Sequence, residues 1–157
     1  MGNRAFFALP PWRRLVLVAA LTAATCRFVL TPSLVSGESM EPTYGRRGVN
    51  AVFRLRYLLH PPRRGDVVAM RYHGRAFLLK RVLAFAGETV EFRDGRCIVD
   101  GVPLDEPYVK FPCDWELPPR LVAPGRIYVM GDNRSMPAEA HVGGEISLSR
   151  LAGAPLF

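Results

Sequence analysis

The stretch Phe77-Leu78-Leu79-Lys80-Arg81-Val82-Leu83 puts a lysine inside an apolar run that has the length and composition of a buried strand. Burial disfavours the ammonium form and lowers a lysine's pKa. Lys80 must therefore either snorkel to water along its stem or stand as an amine that sheds its proton near neutral pH. An amine of the second kind can take a proton from a serine, and Ser/Lys is a recognised nucleophile–base pair.

The serine that fits lies in Ser36-Gly37-Glu38-Ser39-Met40-Glu41-Pro42-Thr43, directly after the only strongly apolar run of the chain. A serine hydroxyl is a poor nucleophile at neutral pH and needs both a base in reach and donors facing the oxyanion it creates. Gly37 allows close backbone approach, and Pro42 stiffens the exit from the turn. These are also ordinary turn formers, so taken alone the segment is weak evidence and reads first as a plain loop.

The rest of the chain reads as short strands. Fourteen Gly and fourteen Pro in 157 residues favour many turns over a helix bundle, and the length suits one modest domain. A hydrophobic fraction of 49% with 22% charged residues excludes a disordered or low-complexity protein. Strands are expected over 49–59, closed by Pro61-Pro62, over 67–72, and over 76–85 with Lys80, the last two joined through His73-Gly74-Arg75. Thr89–Arg93 alternates cleanly, Asp94-Gly95 is a hairpin turn, Arg96–Val99 returns, and Asp100-Gly101 turns again. The stretch 105–124 is Pro-rich and reads as irregular, with Trp115 as an apolar anchor; Ile127–Met130 is a short buried strand.

Residues 1–14 carry Arg4, Arg13 and Arg14 with no acidic residue, and Leu15–Val35 is apolar apart from small polar residues and Arg27. At about 1.5 Å per residue this run just reaches across a bilayer core of roughly 30 Å. The expectation is a transmembrane anchor over 15–35, a basic cytoplasmic segment over 1–14 and an exported β-rich domain over 36–157. A cleaved signal peptide with Leu15–Ala24 as its apolar region is the competing reading.

Four segments, in order, resemble the signal peptidase I family of membrane-bound Ser/Lys endopeptidases: Ser36–Thr43 its nucleophile box, Gly65-Asp66-Val67-Val68 its second box, Lys80–Glu88 its lysine box and Gly131-Asp132-Asn133-Arg134 its last. The resemblance covers about residues 13–150. It implies a mostly β fold, an antiparallel β-sheet domain behind one N-terminal helix, with about 88–126 forming a strand-rich extension. It also implies removal of signal peptides from exported preproteins through an acyl-enzyme, at the outer face of the cell membrane, on a substrate lying as an extended strand.

Ser39 and Lys80 would be the catalytic pair. Support for the oxyanion and the lysine would come from the Ser39 backbone N–H, Gly37, Ser36, Asp132, Arg134 and Ser135, with Met40 and Leu79 as pocket walls. Asp132 could pair with Arg134 or Arg81, or simply cap a turn. The sequence departs from the family in its last box: Pro137 stands where a serine often hydrogen-bonds the lysine, with Glu139 and His141 at the positions of an acid and a cation. Ser135 or a water is the candidate replacement. Gly37 stands where some members carry a serine that helps bind the oxyanion.

Three cysteines are too few for a disulfide scaffold; Cys97 and Cys113 could pair, while Cys26 falls in the apolar run. His60, His73 and His141 are scattered without zinc-site spacing, so neither metal nor cofactor is expected. The net charge of +7 favours anionic membrane lipid as a partner beside the signal peptide, with no obligate protein partner inferred. Nucleic acid is disfavoured by the absence of an aromatic stacking motif. Two other classes remain: an anchored β-domain without activity, and a self-cleaving regulator, for which too little chain precedes Ser39 to hold a DNA-binding domain.

Overall fold

The computed structural model describes residues 9–73 and 76–157. A helix α1 (Pro11–Phe28) leads into β1 (Leu30–Ser36) and β2 (Arg47–Phe53), which pair antiparallel along their whole length. After one helical turn α2 (Arg56–Leu59) come β3 (Val67–Arg71), β4 (Phe77–Phe85), β5 (Thr89–Arg93), β6 (Arg96–Val99), β7 (Val102–Pro103), β8 (Leu117–Leu121), β9 (Arg126–Met130), β10 (Gly144–Ser147) and β11 (Leu151–Pro155). Seven strands form one antiparallel sheet in the order β1-β2-β11-β3-β4-β9-β10; four form a second in the order β7-β6-β5-β8. The fold is mostly β and antiparallel, as expected.

Local chemistry accounts for the turns. Asp94 and Gly95 both take positive φ, as do Asp100 and Gly101, which is the backbone that two-residue hairpins between right-twisted strands require. The second sheet packs Val90, Phe92, Cys97 and Val99 against Leu83, Tyr128 and Met130 of the larger sheet, with Trp115 at the margin. A second cluster, Val68, Met70, Val82, Ile127, Val129 and Ile146, fills the middle of the larger sheet, and Met40, Val52, Ala69 and Leu79 form a third beside the loop that follows β1. Cys97 and Cys113 are buried free thiols in the first cluster, and burial pushes the Cys97 pKa up to about 12.

Several expectations are corrected. The helix ends at Phe28, and Leu30–Ser36 is a strand rather than the end of a span over 15–35. Pro32 has no N–H for a helix interior, and β1 satisfies its backbone against β2. Eighteen residues give about 27 Å of helix, three of them arginines, and no helix among the described residues is long and apolar enough to cross a membrane. The basic segment 1–14 lies outside the described residues up to position 8, as do Gly74 and Arg75 of the hairpin connection. The strand expected over 49–59 stops at Phe53, and Arg56–Leu59 coils into a helical turn. In the Pro-rich stretch, Leu117–Leu121 forms a strand despite Pro118 and Pro119, because β8 lies at a sheet edge where missing N–H groups cost little.

Candidate active site

The chain leaves β1 through Gly37, whose φ of +118° is a conformation open to glycine and strained for other residues, and turns so that Ser39 faces the middle of β4. Lys80 Nζ lies 2.9 Å from Ser39 Oγ. Lys80 is 2% exposed, and no carboxylate sits within ion-pair distance of its amine among the described residues. Burial lowers its pKa from 10.5 to about 8, against the smaller opposing pull of the Asp132 charge. An amine of that pKa is neutral in a sizeable fraction of molecules near pH 7.5 and can accept the serine proton.

The Ser39 loop is clamped by the turn after β9. The Asn133 N–H donates to the Ser39 carbonyl at 3.0 Å, and Asn133 Nδ2 donates to the Glu38 carbonyl at 3.2 Å. Gly131 passes so close that a Cβ there would lie 2.1 Å from the Ser39 carbonyl oxygen, a contact backbone cannot yield to. With its carbonyl held this way, the Ser39 N–H has no acceptor among the described residues and remains available to an oxyanion. The Glu41–Pro42 peptide bond that follows is cis.

Asp132 resolves the alternatives left open by sequence: it pairs with Arg81, not Arg134. Arg81 Nε and Nη2 donate to its two carboxylate oxygens at 2.8 and 2.5 Å, and Thr43 Oγ1 donates to Oδ2 at 2.5 Å. Asp132 is fully buried and Arg81 is 8% exposed, so the pair has the bidentate geometry that compensates desolvation best. Arg81 also donates to the Gly65 carbonyl at 2.7 Å and stacks 3.8 Å over the Tyr108 ring. Tyr108 donates to Glu106 at 2.7 Å, and Glu106 receives Arg134 at 2.5 and 3.2 Å. Arg134, 1% exposed, closes the network by donating to the Gly131 carbonyl at 2.7 Å.

Other expected site residues fall elsewhere. Ser135 donates to Asn133 Oδ1 at 2.7 Å and so steadies the loop that holds Ser39, rather than Lys80. Glu139 is exposed, and His141 is buried instead of being a surface cation. Burial first, then the charges of Lys80 and Arg134, hold the His141 pKa down to about 4, so it is a neutral imidazole at the edge of Trp115, whose N–H donates to the Arg134 and Met136 carbonyls. Ser36, Gly37, Met40 and Leu79 all line a groove that runs from Ser39 between β1 and Phe77-Leu78-Leu79. Glu106 and Tyr108 were not legible as site residues; only the need of buried Arg134 for a carboxylate hints at the first. No group of three His, Cys, Asp or Glu among the described residues converges on a metal-sized site.

Comparison with known proteins gives a consistent set of likenesses. A family model described as signal peptidase, peptidase S26, matches residues 11–156. A probable signal peptidase I-1 of Synechocystis sp. is 35% identical over 156 residues, covering 91% of this chain and 78% of that protein. Signal peptidase I of Bacillus caldolyticus is 29% identical, covering 91% and 85%, and the chloroplast thylakoidal processing peptidase 1 of Arabidopsis thaliana is 26% identical, covering 88% and 46%. Among solved structures, a signal peptidase I from Enterococcus faecalis superposes with a TM-score of 0.50 at 24% identity, over 59% of this chain and 95% of that one, which is a likeness of fold.

Proposed function

The chain belongs to the signal peptidase family, peptidase S26, and from that premise we propose that it removes signal peptides from exported preproteins with Ser39 as nucleophile and Lys80 as general base. The observation that carries the reading is the 2.9 Å contact between Ser39 Oγ and a lysine that is buried, uncompensated and lowered to a pKa of about 8. Neutral Lys80 takes the hydroxyl proton as Ser39 attacks the scissile carbonyl, and the Ser39 N–H holds the oxyanion. Lys80 then gives its proton to the leaving amine, and a water activated by the same amine releases the acyl-enzyme. Asp132 and Arg134 act at one remove, fixing the backbone of Gly131 and Asn133 that positions Ser39.

The groove supports an extended substrate. β4 is paired with β3 from Phe77 to Arg81, but β9 covers its other edge only from Arg81 onward, and β1 pairs on one edge alone. Two open edges therefore flank the groove, and a substrate strand can hydrogen-bond between them while Met40 and Leu79 contact its side chains. Membrane attachment belongs to α1, where no residue is buried and Leu15, Val16, Leu17, Val18 and Leu21 all face outward.

The test is cleavage of a purified preprotein in detergent by the wild type, Ser39→Ala and Lys80→Ala, with the new N-terminus sequenced. Both variants should lose roughly a factor of 10⁴ or more, and the wild-type rate should climb with pH through about 8. Cutting that survives either substitution in a folded protein sinks the pair; failure of folded wild type on several preproteins sinks the activity.

A further inference from the structure

At the junction of α1 with the sheets lies a cleft of about 360 Å³ whose walls include Arg27, Arg54 and Arg71 together with Thr31, Cys26 and Phe77. Three guanidinium groups share it and no carboxylate does. None of the three makes an ion pair with a carboxylate among the described residues, and what sets them apart from other exposed arginines is that they converge on one cleft.

Two of the three are held in place by backbone. Arg54 Nη1 donates to the Arg27 carbonyl at 2.9 Å, and Arg71 Nη1 donates to the Ser149 carbonyl at 3.0 Å. The carbonyls at the end of α1 offset part of the positive charge, about half an elementary charge, and leave most of it uncompensated. Guanidinium forks with unused N–H donors, beside the Thr31 hydroxyl, match the oxygens of a phosphate group. The cleft is large enough for a phosphate with a glycerol attached.

Position supplies the source of that phosphate. Arg27 and Cys26 are in the last turn of α1, whose apolar side chains are exposed on all sides, so a membrane that takes up α1 brings its phosphate layer to this cleft. We propose that Arg27, Arg54 and Arg71 form a binding site for the phosphate of an anionic glycerophospholipid, which seats the domain on the membrane next to the substrate groove that Phe77 also lines. The inference rests on the membrane attachment proposed above, and not on peptidase activity.

The experiment uses the full chain with vesicles of phosphatidylcholine alone and of phosphatidylcholine with phosphatidylglycerol, and compares wild type, Arg27→Gln/Arg54→Gln/Arg71→Gln, and a charge-matched control, Arg93→Gln/Arg96→Gln/Arg120→Gln, three exposed residues of the smaller sheet. Wild type and control should favour the anionic vesicles by about tenfold or more, and the first triple variant should lose most of that preference while still binding neutral vesicles. Alkylation of Cys26, the exposed cysteine of the cleft, should slow on anionic vesicles in wild type and not in that variant. Equal losses in both triple variants would overturn the site in favour of diffuse charge attraction. Absence of binding to either vesicle would overturn membrane attachment and the lipid site together. Saturable sub-millimolar binding of inorganic phosphate in detergent, lost in the first triple variant, would assign the cleft to free phosphate and overturn the lipid.

Discussion

Lys80 and Arg81 are neighbours on one strand and are both buried, yet their surroundings treat them oppositely. Arg81 meets a carboxylate in bidentate geometry, a carbonyl and an aromatic face. Lys80 meets a serine hydroxyl, and its pKa falls to about 8. Burial alone does not decide whether a cation survives inside a protein; the partner does. The arginine's charge locks a loop, and the lysine's missing partner leaves it free to exchange a proton.

The sharpest way to break that comparison is Lys80→Met, which should cut cleavage by roughly 10⁴ and yet stabilise the fold at pH 7. The folded pKa lies below the unfolded one, so the burden of the buried ammonium is fully present below pH 8 and disappears as pH rises toward 10.5. A fall of that size corresponds to about 3 kcal/mol as an upper figure. Urea unfolding at pH 7 and pH 10.5 should show the gap between variant and wild type closing at the higher pH. A wild type as stable as the variant at both values would mean the amine is compensated after all.

Asp132→Ala tests the other side. It leaves Arg81 charged and buried without its carboxylate, and a loss of about 3–5 kcal/mol is expected in the same titration. A loss below about 1 kcal/mol would place Arg81 with surface pairs instead.

His141 sharpens the comparison with a third buried base. Its folded pKa of about 4 lies below 6.5, so stability is present above pH 6.5 and drains away as pH falls to 4, by an amount on the order of 3 kcal/mol. His141→Phe keeps a ring against Trp115 and should flatten the acid limb of an unfolding curve followed by circular dichroism; an unchanged limb would assign acid sensitivity to the carboxylates. The smallest effect belongs to Arg46→Ala, whose pairs with Glu38 and Glu41 are exposed, and a change under about 1 kcal/mol is expected in thermal unfolding.

What sequence could convey follows the same division. Lys80 is legible because a charge in an apolar run is a local anomaly, and Ser39 only through that lysine and the ordered family boxes, since turn formers alone read as a plain loop. For Asp132 the sequence leaves Arg81, Arg134 and a simple turn cap all open, because spacing alone does not say which cation, if any, a carboxylate in a turn will meet. Glu106 and Tyr108 sit in the Pro-rich stretch with no periodicity, and their role arises only where the smaller sheet brings them to Arg134. The end of α1 has a signal in Pro32, which a hydropathy reading of 15–35 does not register. Arg56–Leu59 is a single turn, too short for a helical period to separate it from a strand.

The approach of Gly131 to Ser39 bears on when the protein becomes a hydrolase. Ser39 lies in the first third of the chain, but the turn that grips its carbonyl follows β9, near the far end. Until that turn docks, Ser39 belongs to an unclamped loop with nothing to aim it. On the mechanism proposed above, a half-folded chain would hold Ser39 and Lys80 without the geometry that pairs them, so cleaving activity would depend on docking of the turn after β9.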